Sequence, residues 1–196
     1  EEPDPLSVNT TSTNVSCYNA GDGSAQTLTA GGVAPYSYNW SNGNNTASVT
    51  SLSPDTYIVT ITDNNGCSSS LAVTITQPAD FNITYNAVSA SCAGTASGDI
   101  TLDVTGATPP YSYDWSNLAV SQDIYGIAAG TYTVTITDNN GCSVTRSYQV
   151  NEPDSIELNF DYSPAVCNGG GSGYINTNIS GGTPAYLFTW SNYEST

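Results

Sequence analysis

The twelve residues TYIVTITDNNGC at 56–67 return almost unchanged as TYTVTITDNNGC at 131–142, 75 residues further on. The same offset relates Trp40, Trp115 and Trp190, then Cys17, Cys92 and Cys167, then Cys67 and Cys142, and also the prolines Pro3, Pro78 and Pro153. Self-similarity at a fixed period is the signature of an array, in which one small unit is built again and again and leans on its neighbours. The copies run 4–78, 79–153 and 154–196 after a linker of residues 1–3, and the third ends shortly after its tryptophan. A unit of this size buries only about 60% of the surface its unfolded chain exposes, so it calls for a covalent staple or a supporting neighbour. With its EEPDP opening and its end inside a unit, the sequence reads as an excerpt from a longer exported protein.

Within each copy the apolar residues alternate. Leu6 and Val8, Phe81, Ile83 and Tyr85, and Ile156, Leu158 and Phe160 open the three copies, and Ile100, Leu102 and Val104 mark the second strand most clearly. Period two over four to eight residues predicts half-buried strands. Glycines and prolines punctuate them: Gly31-Gly32, Gly106 and Gly181-Gly182 end the second strand, and Pro35, Pro109, Pro110 and Pro184 follow. Next comes an aromatic row, in which Tyr36, Tyr38 and Trp40 share one face, as do Tyr111, Tyr113 and Trp115, and Tyr186, Phe188 and Trp190. Core packing is the expectation for this row and for Tyr57 and Tyr132, because the row tolerates Phe188 in place of tyrosine. Val49 and Leu52, or Ile124 and Ile127, supply a further strand. Tyr57, Val59 and Ile61 line the best-marked one, and Leu71, Val73 and Ile75 the last. In the DNNG turn, Asn65-Gly66 tolerates positive φ and Asp63 can accept bonds from the turn's backbone. No stretch has helical periodicity with capping. The predicted fold class is all-β: tandem immunoglobulin-like β-sandwich domains on a 75-residue repeat.

Five cysteines at fixed spacing in small strand-rich units predict disulfides, and with them export from the cell. Two pairings fit the spacing. Within a copy, Cys17 joins Cys67 and Cys92 joins Cys142, leaving Cys167 unpaired; between copies, Cys67 joins Cys92 and Cys142 joins Cys167, leaving Cys17 unpaired. The first is favoured, because a cross-link closing a loop of 50 residues contributes about 4 kcal/mol in the chain-entropy account. Strand direction leaves the choice open: six strands alternating in direction put Cys17 and Cys67 at one pole but also bring both ends of the copy there, whereas seven strands separate both pairs.

Seventeen carboxylates stand against one basic residue, Arg146, for a formal charge of −16, and the chain has no lysine or histidine. Nothing here displaces counterions from phosphates, so nucleic acid is not an expected partner, and neither is insertion into a membrane. Without histidine or lysine there is no triad and no phosphate-holding loop, so an enzyme is not expected. A bound calcium would draw on Asp4, Asp63, Asp80, Asp138, Glu152 and Asp154, but these lack the D-x-D-x-D-G cadence that gathers six to eight oxygens. Turn and junction chemistry accounts for them, so no cofactor is expected. Ser155, in the triplet Asp154-Ser155-Ile156, is a candidate O-glycosylation site. Tyr18, Tyr85, Tyr125, Tyr148, Tyr162 and Tyr193 are the aromatics that an array of carbohydrate-binding modules would use.

The combined pattern CxxG, GxxPxYxYxWSN, GTYxVTITDNNGC and EP resembles the SprB repeat of very large cell-surface adhesins of gliding bacteria. It covers the whole chain, with Val33-Ala34 and Pro54-Asp55 as the departures in copy 1. The resemblance implies an extracellular, surface-anchored filament exported by the type IX route, whose tandem units serve attachment and gliding. Its implied partners are neighbouring repeats and a polysaccharide or abiotic surface. A self-assembling filament subunit is the other extracellular reading.

Overall fold

The computed structural model describes residues 3–166 and 171–191. It divides into two compact units: the first holds residues up to 83 with 104–112 and 136–144, and the second holds 84–103, 113–135 and 145–196. Compactness therefore follows the repeat junctions. Each unit contains one whole junction between consecutive copies.

Copy 1 is a sandwich of two three-stranded antiparallel sheets. One contains β1 (Ser7–Thr13), β2 (Gly23–Ala30) and β4 (Ser48–Leu52), in the order β1-β2-β4; the other contains β3 (Ser37–Trp40), β5 (Asp55–Thr62) and β6 (Ser68–Ile75), in the order β3-β5-β6. Copy 2 repeats the plan with β7 (Asn82–Val88), β8 (Gly98–Thr105), β9 (Ser112–Trp115), β10 (Ile124–Ile127), β11 (Gly130–Thr137) and β12 (Ser143–Val150), in sheets β10-β8-β7 and β12-β11-β9. In copy 3, β13 (Glu157–Ser163) and β14 (Tyr174–Ser180) form a two-stranded ribbon.

Alternation builds the core. Val59 and Ile61 on β5 are fully buried and pack with Trp40, Val49, Leu52, Val73 and Ile75, while the residues between them face outward. One row breaks period two, since Val49 and Leu52 both point inward although three residues apart. A break in register where β4 pairs with β2, together with Ser51 at φ 58, turns the strand between them. Ile124 and Ile127 repeat this in copy 2, where Gly126 has φ 62. Such a bulge re-aims a side chain without breaking the sheet.

The tryptophans lie at the centre, Trp40 and Trp115 each 1% exposed. Their indole N–H groups donate to the carbonyls of Thr46 and Ser121, both at 2.9 Å. The tyrosines of the aromatic row are only half-buried. Tyr36, Tyr38 and Tyr57 pack against the core from its edge, and Tyr111, Tyr113, Tyr132, Tyr186, Phe188 and Trp190 are likewise partly exposed. A phenol at a sandwich edge keeps its ring dry and its hydroxyl bonded. Tyr36 donates to Gly31 O at 2.7 Å and Tyr111 to Gly106 O at 2.5 Å, and Tyr186 makes the same bond to Gly181 O. Tyr57 and Tyr132 donate to the carbonyls of Ser53 and Ala128, four residues upstream, both at 3.0 Å. That is the arrangement of the tyrosine corner of immunoglobulin-type sandwiches. The fold class is accordingly all-β, in immunoglobulin-like sandwiches.

Strand direction corrects the expected cysteine pairing. β1 and β6 end together, where the Val15 N–H bonds to Thr76 O; since β2 runs antiparallel to β1 and β4, and β5 antiparallel to β3 and β6, β3 and β4 run the same way. Six strands then behave as an odd number. Cys17 follows β1 at the end where Val15 and Asn19 bond to Thr76 and Gln77. Cys67 lies at the other end, on the turn whose Asp63 and Asn64 bond to Val33. An eight-residue strand covers about 25 Å, and cysteine Cα atoms must lie within about 7 Å to be bridged. Cys17 therefore does not pair with Cys67, nor Cys92 with Cys142; Cys17 is bonded to Cys142, 125 residues away. The alternative of Cys67 with Cys92 fails too, as both are exposed free thiols. Cys167, expected to be unpaired, lies outside the described residues.

Candidate functional site at the repeat junction

Two small devices build the junction between copies 1 and 2, and each has a counterpart elsewhere in the chain. The first is the DNNG turn. Asp138 Oδ1 accepts the backbone N–H of Asn140 (2.8 Å) and of Cys142 (2.9 Å), while Oδ2 accepts that of Thr108 (3.0 Å). Asp63 does the same for Asn65, Cys67 and Val33, each at 2.9 Å. One carboxylate thus closes the turn, orients the cysteine after it and ties both to the glycine-bearing loop. Bonds donated to its charged form, the one from Val33 first, hold the Asp63 carboxyl below its ordinary value of 3.8. Asp22 is lowered as well, by bonds from the side chain and then the backbone N–H of Ser16.

A group with a depressed folded value stabilises fully above its unfolded value and loses that contribution as pH falls through the folded one. Thermal melts should therefore give a Tm that is flat from neutral pH down to about pH 5 and falls progressively below about pH 4. Asp63→Asn, whose amide cannot accept the Val33 N–H in the same way, should lower the neutral-pH Tm and shrink the acid drop. A drop of unchanged size in that variant would show that Asp63 does not carry it.

The second device is a glycine. Gly31, Gly106 and Gly181 have φ of 67, 80 and 72°, and a Cβ on them would fall 2.1, 1.9 and 1.9 Å from the carbonyl oxygens of Pro5, Asp80 and Ser155. Only a residue without a side chain lets the incoming linker lie against this loop. The next residue then bonds to the linker: Gly32 N–H to Asp4 O, Ala107 N–H to Ala79 O and Gly182 N–H to Asp154 O, at 2.8, 3.0 and 2.7 Å.

In the first unit these devices bring Cys142 against Cys17, with Cα atoms 5.7 Å apart. Asn140 adds a polar clasp, its Nδ2 donating to Ser16 O at 3.0 Å and to Thr108 Oγ1 at 3.2 Å. Around the cystine lies a cavity of ≈ 230 Å³ walled by Cys17, Tyr18, Pro78, Phe81, Asp138 and Cys142. The sequence does carry a signal for this arrangement: a glycine, a DNNGC turn and a proline linker at one fixed offset.

Four of the six carboxylates weighed as calcium ligands accept backbone N–H groups. Asp63 and Asp138 cap their turns, and Asp80 Oδ1 accepts the Phe81 N–H at 2.8 Å. Glu152 Oε2 accepts the Gly94 N–H at 2.7 Å, and Asp4 and Asp154 offer their main-chain carbonyls to the junction loops. Among the described residues no three acidic or cysteine side chains gather as a metal site. Ser155 is exposed, with its carbonyl against Gly181.

Among the described residues the candidate sugar-binding tyrosines form no repeated platform. Tyr85 rests on the buried Tyr148 at 4.4 Å between ring centres, and Tyr162 lies 6.5 Å from Phe160. The positions in copy 1 that match Tyr85, Tyr148 and Tyr162 are Thr10, Val73 and Ser12. Tyr18 and Tyr125 are exposed, and Asp123, whose carboxylate accepts the Tyr125 hydroxyl, holds that phenol's proton on to higher pH. Tyr193 lies outside the described residues.

Repeated sandwiches joined by a glycine, an aspartate-capped turn and a cystine define a tandem structural array. The chain belongs to the SprB repeat family, which matches residues 9–45, 84–120 and 159–194, together more than half of its length. This is a repeat of cell-surface adhesins, and the cystine suits that setting. No curated protein matches the chain. Similar solved structures include an amphioxus IgVJ-C2 molecule, at 16% identity and a TM-score of 0.28, over 61% of this chain and 90% of that one. Another is from work titled "Structural basis for Dscam isoform specificity", at 11% identity and a TM-score of 0.29, over 74% of this chain and 46% of that one.

Proposed function

We propose that the chain is a structural and adhesive segment of an extracellular cell-surface filament, used in surface attachment and gliding and exported by the type IX route. The observation that carries this reading is the threefold family match at a strict 75-residue offset, on copies whose junction is stapled rather than hinged. Copy 1 takes the chain in at its Gly31 end and passes it out at its Cys17 end, which is the connectivity that lets units be strung in series. Low charge density with a net negative sign gives a hydrated surface that resists collapse onto itself. In this reading its role is reach and contact with a polysaccharide or an abiotic surface.

The test uses intact cells of the source bacterium. Antibody raised against this chain should label them without permeabilisation, and beads coated with it should be captured and moved along the cell. Labelling only after lysis would contradict a surface role, and labelling without bead movement would confine that role to attachment.

A further inference from the structure

The second unit holds a junction that matches the first, residue for residue, on one side. Cys92 stands where Cys17 does, Ser91 where Ser16 does, Pro153 where Pro78 does, and Gly182 where Ala107 does. In the first unit the DNNGC turn of copy 2 closes this site. In the second, the groove is walled by Ser91, Cys92, Pro153, Asp154, Ile156 and Gly182, with no such turn among its lining residues, and it widens to ≈ 410 Å³. Cys92 is an exposed thiol.

The ribbon beside the groove points the same way. Ile175 is 55% exposed, although its counterparts Ile100 and Ala25 are 0% and 3% exposed. In copy 1 that counterpart, Ala25, shares its core with Val59 and Ile61 of the sheet that carries the DNNGC turn. A groove, an uncovered apolar face and an unpaired thiol therefore share one occupant.

The geometry points to Cys92 as the acceptor half of a junction disulfide, its donor being a β-hairpin of TxTDNNGC type like the one that carries Cys142. The hairpin's apolar row lies on Ile175, its asparagine clasps the Ser91 carbonyl as Asn140 clasps that of Ser16, and its cysteine meets Cys92. On closure the two thiols give up two protons and two electrons to a small-molecule disulfide such as oxidised glutathione, which leaves as two glutathione thiols. By the same rule the first cysteine of every copy bonds to the second cysteine of the next. Cys67, on the matching turn of copy 1, is by that rule a donor half. This inference concerns assembly and stands whether or not the surface proves adhesive.

The test extends the full chain, replacing residues 193–196 with residues 118–153 so that copy 3 carries this hairpin, and refolds it in a glutathione redox buffer. Thiol labelling and peptide mapping should show loss of the Cys92 thiol and a cystine between Cys92 and the cysteine of the added turn. If Cys92 stays a thiol in molecules whose Cys17–Cys142 cystine has formed, the proposal is overturned. Should the extended chain fail to form even that internal reference bond, a second arm decides. The unmodified chain is incubated with a peptide of residues 130–150 in the same buffer. A peptide adduct at Cys92 in preference to Cys67 supports the proposal, and no adduct or an even distribution between the two overturns it.

Discussion

Replacing Cys17 and Cys142 together by serine is expected to lower the stability of the first unit by about 3–5 kcal/mol, the range for a bond that closes a long loop in the unfolded chain. The cystine spans 125 residues, so the unfolded chain gains much freedom when it is cut. The loss should be seen as a lower denaturant midpoint in urea, and dithiothreitol should reproduce it in the unsubstituted chain. Replacing Cys67 or Cys92 by serine should leave the midpoint within about 0.5 kcal/mol of the parent, the usual range for exposed positions away from such features. A double serine variant as stable as the parent would show that the Asn140 clasp and the glycine contacts hold the junction without the bond.

The second large effect is expected at the tryptophans. Trp115→Ala removes the largest side chain of a closely packed core and leaves the Ser121 carbonyl without its donor. Truncations of this kind cost about 3–5 kcal/mol. For a domain of this size each kcal/mol shifts Tm by about 4–8 °C, so copy 2 should be largely unfolded at physiological temperature. Trp115→Phe keeps part of the ring volume and should recover a substantial share of the loss. Calorimetry of the two variants separates volume from hydrogen bonding, and equal stability of Ala and Phe at this position would contradict a packing role.

Much of this was legible before any coordinates. Alternation marks Val59 and Ile61 as inward, whereas Val49 and Leu52, readable only as a further strand, lie three residues apart and need a bulge to turn both to the core. The aspartate of DNNG was readable as the acceptor for its own turn, because aspartate bonds the backbone two residues on. Its third bond, to the loop at Val33 or Thr108, joins residues 30 apart and has no local signature. In the aromatic row Trp40 and Trp115 lie in the core, while the tyrosines pack against it from its edge: period two tells which face a residue takes, not how near the sheet edge it lies.

The cysteines were misassigned for a related reason. Periodicity says nothing about which sheet a strand joins, so the shared direction of β3 and β4 was invisible, and with it the pole at which Cys67 falls. The need of a small unit for its own staple favours a bond within each copy, and nothing in the spacing singles out the second cysteine of the following copy. Gly31, Gly106 and Gly181 were the overlooked clue. They read as ordinary strand terminators, yet each lies where the linker from the preceding copy presses on the loop.

The account depends on consecutive copies being bonded head to tail through Cys17 and Cys142, and a disulfide map tests this most directly. With Arg146 as its one basic residue, the chain offers trypsin a single cut, so digestion before aspartate without reductant is the suitable route. The expected result is a linked pair of peptides, one containing Cys17 and the other Cys142, with Cys67 and Cys92 recovered as alkylated thiols. Recovery of Cys17 linked to Cys67 would contradict the strand directions on which the whole description stands.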